Sequence, residues 1–334
     1  MNELIEILNK KSVEYQIGII NYDRFHSLPE PFDDRKDIKF KWTKDSLEKL
    51  FSDLKKKNIY LNKLSETKYN ALFKIKGTED KILIEYAINS HVQIPKTILK
   101  HFKTDDYMYY LKTDSNEIKR VAPKKYNTQF GYYSLYFEEY LNNNYENMIS
   151  EIINTIIPFV NRKVQTIHIQ NLKDKINKLF LMSLFRNPKY VGEVNRNSMY
   201  AQLIDGGYDS EYIAYTSENI NCAFFKKYSP ILTVNTTNKG IVTIKTLFSD
   251  LKLKNNINSF IIALHPKFAL TLVPNDYYNN IIKEKGEGSY LKLSDEKELL
   301  ELNKQIYYCA KNNKTDIIGL KSDLEELISA TVEN

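Results

Sequence analysis

The sequence predicts an α+β protein: a small N-terminal α/β unit over residues 1–88, then a region over residues 89–334 in which a helical hairpin packs on antiparallel β-sheet. Three observations carry this prediction. NALFKIK and KILIEYAI alternate apolar and polar residues around Gly77, the period-two signature of a β-hairpin. Two stretches of roughly twenty residues in the middle of the chain set apolar side chains at three- and four-residue spacing instead, the helical period. Residues 211–273 then present EYIAYTS, CAFF, ILTVNTT, GIVTIKTL, SFIIAL and FALTLV with turn residues between them, which favours an antiparallel sheet.

In the N-terminal unit a short amphipathic helix (Leu4, Ile5, Leu8) leads to the strand-like YQIGIIN and a proline-containing loop, HSLPEPFDD. The segment SLEKLFSDLKKKN sets Leu47, Leu50, Phe51 and Leu54 on one helical face, with Asp45 placed to cap its start. IYLNK and the hairpin follow. His26 is isolated and reads as a loop residue.

From Asn89 the character changes. HVQIPKTILKHF opens the second region, DYMYYLKTDSNEIKRVA reads as a hairpin turning at residues 114–116, and QFGYYSLY as a further strand. A helix over residues 137–157 carries Phe137, Leu141, Tyr145, Met148, Ile152 and Ile156 as its apolar stripe and stops before Pro158. A second helix over residues 167–186 turns Ile169, Leu172, Ile176, Leu179, Phe180 and Leu184 inward and its lysines outward. After the β-rich region, a helix over residues 294–311, the strand TDIIGL and a helix capped by Ser322 with Glu325 close the chain.

Composition excludes several function classes. Two cysteines, Cys222 and Cys309, make neither a disulfide framework nor a thiolate zinc site. No segment approaches the roughly 18 apolar residues of a membrane helix, and MNELIEILNKKS lacks the basic start and apolar centre of a secretory signal. A cytoplasmic protein without membrane partners is expected. The 10 glycines supply neither a phosphate loop nor a dinucleotide fingerprint; Gly286 and Gly288 in KEKGEGSY form a close pair but not such a motif. Heavy use of lysine, asparagine, isoleucine and tyrosine follows from codon usage in an AT-rich genome, so the 25 tyrosines and 16 phenylalanines read first as sheet and core residues and second as stacking platforms for bases.

Charge is unevenly spread. The net +6 of the chain is matched by the stretch 162–189 alone, where Arg162, Lys163, Lys173, Lys175, Lys178, Arg186 and Lys189 face one acid, Asp174. Such a stripe is either a solvated helix face or the footprint of phosphate binding, and Arg162, Lys163, Lys173, Lys175, Lys178 and Lys189 are its candidate nucleic-acid-binding residues.

Three local patterns occur in fixed order: His91 with Pro95, Leu99 and Phe102; Glu139 and Glu146 on one helix; and Arg186-Asn187-Pro188 at the end of the next. With ILTVNTT and SFIIALHPKFALTL downstream, this order resembles the uncharacterised bacterial proteins grouped as domain of unknown function 4238, over residues 89–312. Two departures stand out: His91 precedes Pro95 by four residues where the family has three, and the family's Ser-Asp-Asn-Pro strand end is absent, with only YSP at residues 228–230. The resemblance implies no known reaction, but an accessory role in mobile elements and phage conflict.

Residues seven apart on a helix lie two turns along the same face, so Glu139 and Glu146 are expected to project from one side about 10 Å apart, too far for both to bind one metal ion directly. His91, Glu139, Glu146 and Arg186 could hydrolyse a phosphodiester, a carboxylate-held divalent metal such as magnesium activating water and the arginine stabilising charge. The competing reading pairs Glu139 and Glu146 with Arg186 or Lys178 across the two helices. Other templates fit less well. Asp106, Glu117 and Lys119 have the residue types of a restriction-type nuclease site but flank a hairpin turn, and Arg162 with His168 has a loose ribonuclease spacing. The expected function is nucleic-acid contact with metal-assisted cleavage. The alternative is a non-enzymatic sensor or regulator that engages a protein partner or a second copy of itself.

Overall fold

The computed structural model describes residues 38–42, 47–91, 94–134, 138–139, 141–185, 227–253, 257–286 and 290–332, and these form an α+β protein. The first helix, YQIGIIN, His26, Asp45, EYIAYTS and CAFF lie outside the described residues. The N-terminal half runs β1 (Ile38–Trp42), α1 (Leu47–Lys55), β2 (Leu61–Glu66), β3 (Asn70–Ile75), β4 (Lys81–His91), the single turn α2 (Lys96–Leu99), β5 (Lys103–Thr104), β6 (Tyr107–Lys112), β7 (Glu117–Val121) and β8 (Thr128–Ser134). A π-helical segment, Leu141–Glu146, leads into α3 (Asn147–Val160), and a 3₁₀ turn, Ile169–Leu172, into α4 (Lys173–Phe185). The remainder runs β9 (Tyr228–Asn235), β10 (Thr243–Ile244), β11 (Ser249–Leu253), β12 (Ile257–His265), β13 (Phe268–Pro274), α5 (Asn275–Lys285), β14 (Leu291–Leu293), α6 (Glu296–Asn312), β15 (Ile317–Gly319) and α7 (Lys321–Val332).

The chain divides into two compact units. In the first, the sheet has the order β1-β4-β3-β2, with β8 also paired to β4. The predicted hairpin is present: β3 and β4 pair antiparallel and Gly77 takes a left-handed φ of 86° between them. Alternation turns Ala71, Phe73 and Ile75 of β3 and Ile82, Ile84 and Tyr86 of β4 to the same buried cluster, which Leu47, Leu50 and Leu54 of α1 cover. Phe51 adds an edge-on ring against Phe73 at 5.0 Å. β4 extends past residue 88, where a unit boundary is expected, and pairs Ala87 and Asn89 to His91 with β8 across a register shift between Ala87 and Asn89. Residues 128–134 therefore join the first unit.

In the second unit β6 and β7 form the other predicted hairpin, with Asn116 at φ 53° in its turn. The helical hairpin is also present, α3 burying Ile149, Ile152, Ile153 and Ile156 and α4 burying Ile176, Leu179, Phe180 and Met182. Pro158 lies inside α3, one turn from its end, rather than beyond it. Its missing N–H falls where the helix is finishing, and its carbonyl is used by the N–H groups of Lys163 and Val164 at 2.8 and 3.3 Å.

The larger sheet has the order β11-β12-β13-β9-β14, antiparallel except that β14 runs parallel to β9. GIVTIKTL, expected as a full strand, pairs only through Thr243 and Ile244. Its preceding backbone groups are satisfied elsewhere: the N–H of Gly240 donates to Asp323, that of Val242 to Asn303, and that of Ile241 to the Pro266 carbonyl. The terminal helix starts at Lys321, so Ser322 sits inside it and is not its cap, whereas Asp295 does cap α6 by accepting the N–H of Lys297 at 2.9 Å.

Candidate functional site

The sequence-derived constellation is engaged piecemeal. His91 ends β4, opposite Thr128 of β8. Glu139, in the first unit, accepts from Lys68 Nζ at 2.7 Å and from the Tyr69 hydroxyl at 3.0 Å, and the Lys68 hydrogen bond holds its carboxyl below the usual range. Glu146, in the second unit, accepts from Thr97 Oγ1 on α2. Residues 141–146 are π-helical and turn more widely than the α-helix expected over this stretch. Of the glutamates in the competing reading, Glu139 is paired with Lys68. Arg186 and Lys189 lie outside the described residues. Among the described residues no group of three or more His, Cys, Asp or Glu is placed to hold a metal ion.

The predicted basic stripe is not an open row of cations. Lys175 is paired with Glu151, Lys173 reaches Ser229 Oγ at 3.5 Å, and Lys178 is half-buried and engaged. Arg162 and Lys163 are exposed, in the turn that follows α3. Glu117 and Lys119 pair with each other at 3.2 Å along β7, as hairpin surface residues do.

A different feature stands out in the second unit. The exposed face of α6 carries Gln305, Tyr308, Cys309 and Asn312 at helical spacing, while Leu299, Leu302, Ile306 and Ala310 on the other side are buried. That face borders an open groove of about 830 Å³ whose opposite wall is β11 and β12, contributing Asp250 and Lys252, and Asn258 and Phe260. Tyr228 at the start of β9 completes it. Phe260 is fixed by stacking on Phe248 at 5.0 Å and by Tyr228 at 5.3 Å; Tyr308, 47% exposed, stands edge-on to Tyr307 at 5.5 Å. The two walls are tied where Gln305 Oε1 accepts the N–H of Lys252 at 3.0 Å.

One lysine lines this groove, and three more stand next to its lining residues in sequence. Lys252 is exposed in its wall, Lys227 precedes Tyr228, and Lys311 and Lys314 flank Asn312 and Asn313; none of the four has an anionic partner among the described residues. The leading end of the helical hairpin's second arm reaches the same strand, through Gln170 Nε2 to the Pro230 carbonyl at 3.2 Å and Lys173 to Ser229. The rings and amides went unnoticed in the sequence because tyrosine and asparagine are abundant throughout, and the walls come from segments about fifty residues apart.

A buried polar cluster lies elsewhere in the second unit. Asp323, 3% exposed, accepts the Gly240 N–H at 3.0 Å through Oδ2, while its Oδ1 is buried without a partner, and burial lifts its carboxyl to about 6. His101 and His265 lie ring to ring at 5.1 Å, and burial pushes His101 down to about 4. The Lys267 N–H donates to Nδ1 of His265 at 3.0 Å, which puts that ring's own proton on Nε2, so it presents a donor and not a metal-ligating lone pair. Compared with known proteins, the chain matches no family model, no curated protein and no solved structure. The resemblance to domain of unknown function 4238 rests on the motifs in the sequence.

Proposed function

We propose that the second unit binds single-stranded nucleic acid in the groove between α6 and the β11–β12 edge. The observation that supports this is the coincidence, along one open groove, of three aromatic rings (Tyr228, Phe260, Tyr308), side-chain amides (Asn258, Gln305, Asn312) and an exposed lysine, Lys252, without an anionic partner among the described residues. Each part answers a different part of a single strand. Aromatic rings stack on unpaired bases, amides bond base edges in either donor or acceptor sense, and lysines meet phosphates. A duplex hides its base faces, so an aromatic groove favours the unpaired strand. Asp250 tempers the charge of the wall and disfavours purely electrostatic capture. The reading is one of binding; Glu139 and Glu146, each already engaged, play no part in it.

Fluorescence anisotropy with short labelled single strands and the matching duplexes, at salt between about 50 and 200 mM, tests this. Binding of the single strand with a negative salt slope is expected, and Tyr308→Ala should weaken it by about 1–3 kcal/mol, the value of one base stacked on an aromatic ring. Absence of single-strand binding at low salt, or affinity unchanged in Tyr308→Ala, overturns the reading in favour of a protein-binding groove.

A further inference from the structure

On the far side of the Lys252–Gln305 tie lies a second hollow of about 650 Å³, between the larger sheet and the helices α5 and α6. Its walls are apolar: Leu251, Leu253, Ile261, Leu291 and Leu302 face it, with Tyr277 of α5. Two polar features interrupt them. Thr233 and Thr271, on neighbouring strands and 4% and 1% exposed, share a hydroxyl–hydroxyl bond of 3.0 Å and both line the hollow. Two hydroxyls bring two hydrogens and that bond uses one, so one buried O–H is left without an acceptor among the described residues. At the surface, Lys252, Lys292 and Lys297 line the hollow with no anionic partner among the described residues, although Glu298 and Glu301 line it too; Glu301 is held by Lys304 at 3.1 Å.

We infer that this hollow is a binding site for an amphipathic organic anion: an apolar chain bearing a carboxylate at the lysines and a hydrogen-bond acceptor that reaches the threonine pair. The size is that of a small-molecule site, mostly apolar with a few placed polar groups. Burying the chain against the leucine walls supplies the drive, the unpaired lysines select the sign of the charge, and the unspent hydroxyl selects an oxygen on the chain. A neutral ligand leaves the lysines as they are, and a cationic one meets them as like charges.

Isothermal titration of the full chain with four probes decides it: 10-hydroxydecanoate, decanoate, decanol and decyltrimethylammonium, each below its micelle concentration. Saturable binding of one equivalent of 10-hydroxydecanoate is expected, with decanoate about two- to tenfold weaker through loss of the threonine bond. Decanol and the cation should each be weaker than decanoate by about tenfold or more. Thr233→Val combined with Thr271→Val, which removes both hydroxyls, should erase the difference between the two carboxylates, and Lys292→Gln with Lys297→Gln should bring decanoate down to the level of decanol. Those lysines do not line the nucleic-acid groove, so oligonucleotide affinity stays unchanged in that pair and the two readings fail separately. Equal binding of all four probes, no saturable binding, or carboxylate binding indifferent to both sets of substitutions overturns the inference.

Discussion

Asp323 Oδ2 accepts the backbone N–H of Gly240 at 3.0 Å, and a Cβ added at position 240 would stand 2.5 Å from that same oxygen. The carboxylate thus fills the space a side chain would occupy. Its partner atom, Oδ1, is buried without a bond.

Two substitutions should act oppositely. Gly240→Ala forces Asp323 away and should destabilise by about 1–3 kcal/mol through overpacking and loss of the bond. Asp323→Asn keeps an acceptor for Gly240 and removes a desolvated charge, so at pH 8 its melting temperature should rise above the wild type. Thermal unfolding by circular dichroism at pH 8 checks both.

The same carboxyl and His101 set opposite pH slopes. Burial, then the neighbouring His265 and Lys100, depress His101 from 6.5 to about 4, so on acidification the unfolded chain takes its proton first and stability is lost from about pH 6.5 down to 4. Asp323, lifted by burial from 3.8 to about 6, holds in the folded state a proton that the unfolded chain has released; its contribution is full below 3.8 and is lost as pH rises through about 6. Between about pH 4 and 6 the two oppose each other. Asp323→Asn should therefore lose melting temperature on acidification more steeply than the wild type in that window, and His101→Gln less steeply.

The paired glutamates should prove mild. Glu139 meets Lys68 with both side chains partly exposed, 34% and 64%, so Glu139→Gln should cost no more than about 1 kcal/mol. Glu146→Gln keeps an acceptor for Thr97 and should cost about as little. Urea unfolding of both variants measures this, and a loss of several kcal/mol in either would contradict the partners seen here.

Lysines predicted from the sequence and lysines placed by the fold can be separated by salt. Replacing Lys173, Lys175 and Lys178 with glutamine should leave the salt slope of oligonucleotide binding nearly unchanged, because all three already have protein partners. Replacing Lys252, Lys311 and Lys314 should reduce it by about 0.7 for each phosphate that is no longer neutralised. Anisotropy titrations across salt compare the two sets.

What the sequence disclosed and what it concealed follow from the range of the interactions involved. The hairpins at Gly77 and Asn116 and the helix covered by Leu47, Leu50 and Leu54 were legible because their periodicity and turns are local. β1 and β14 pair in parallel with distant strands and carry no turn signal of their own. α5, rich in asparagine and tyrosine, has no clean apolar stripe to announce it. The π-helical turn at residues 141–146 keeps Leu141 and Tyr145 buried, and the apolar spacing of the sequence does not distinguish it from an α-helix. The groove escaped for a similar reason: Tyr308 and Asn312 have a helical period, but only the fold brings Phe260 and Tyr228 to them.

Gln305 has a further consequence for how the molecule behaves in a crowd. β11 is the outermost strand of its sheet, and an outermost strand offers unpaired donors on which a second chain can dock. By taking the Lys252 N–H, the glutamine amide imitates the carbonyl of a neighbouring strand and occupies the middle of that seam. A helix side chain thus adds to what the short strand and its exposed Asp250 and Lys252 already do at this margin. Gln305→Ala would leave the fold's interior intact yet unmask a place where two copies can zip together, visible as dimers that grow with concentration in sedimentation.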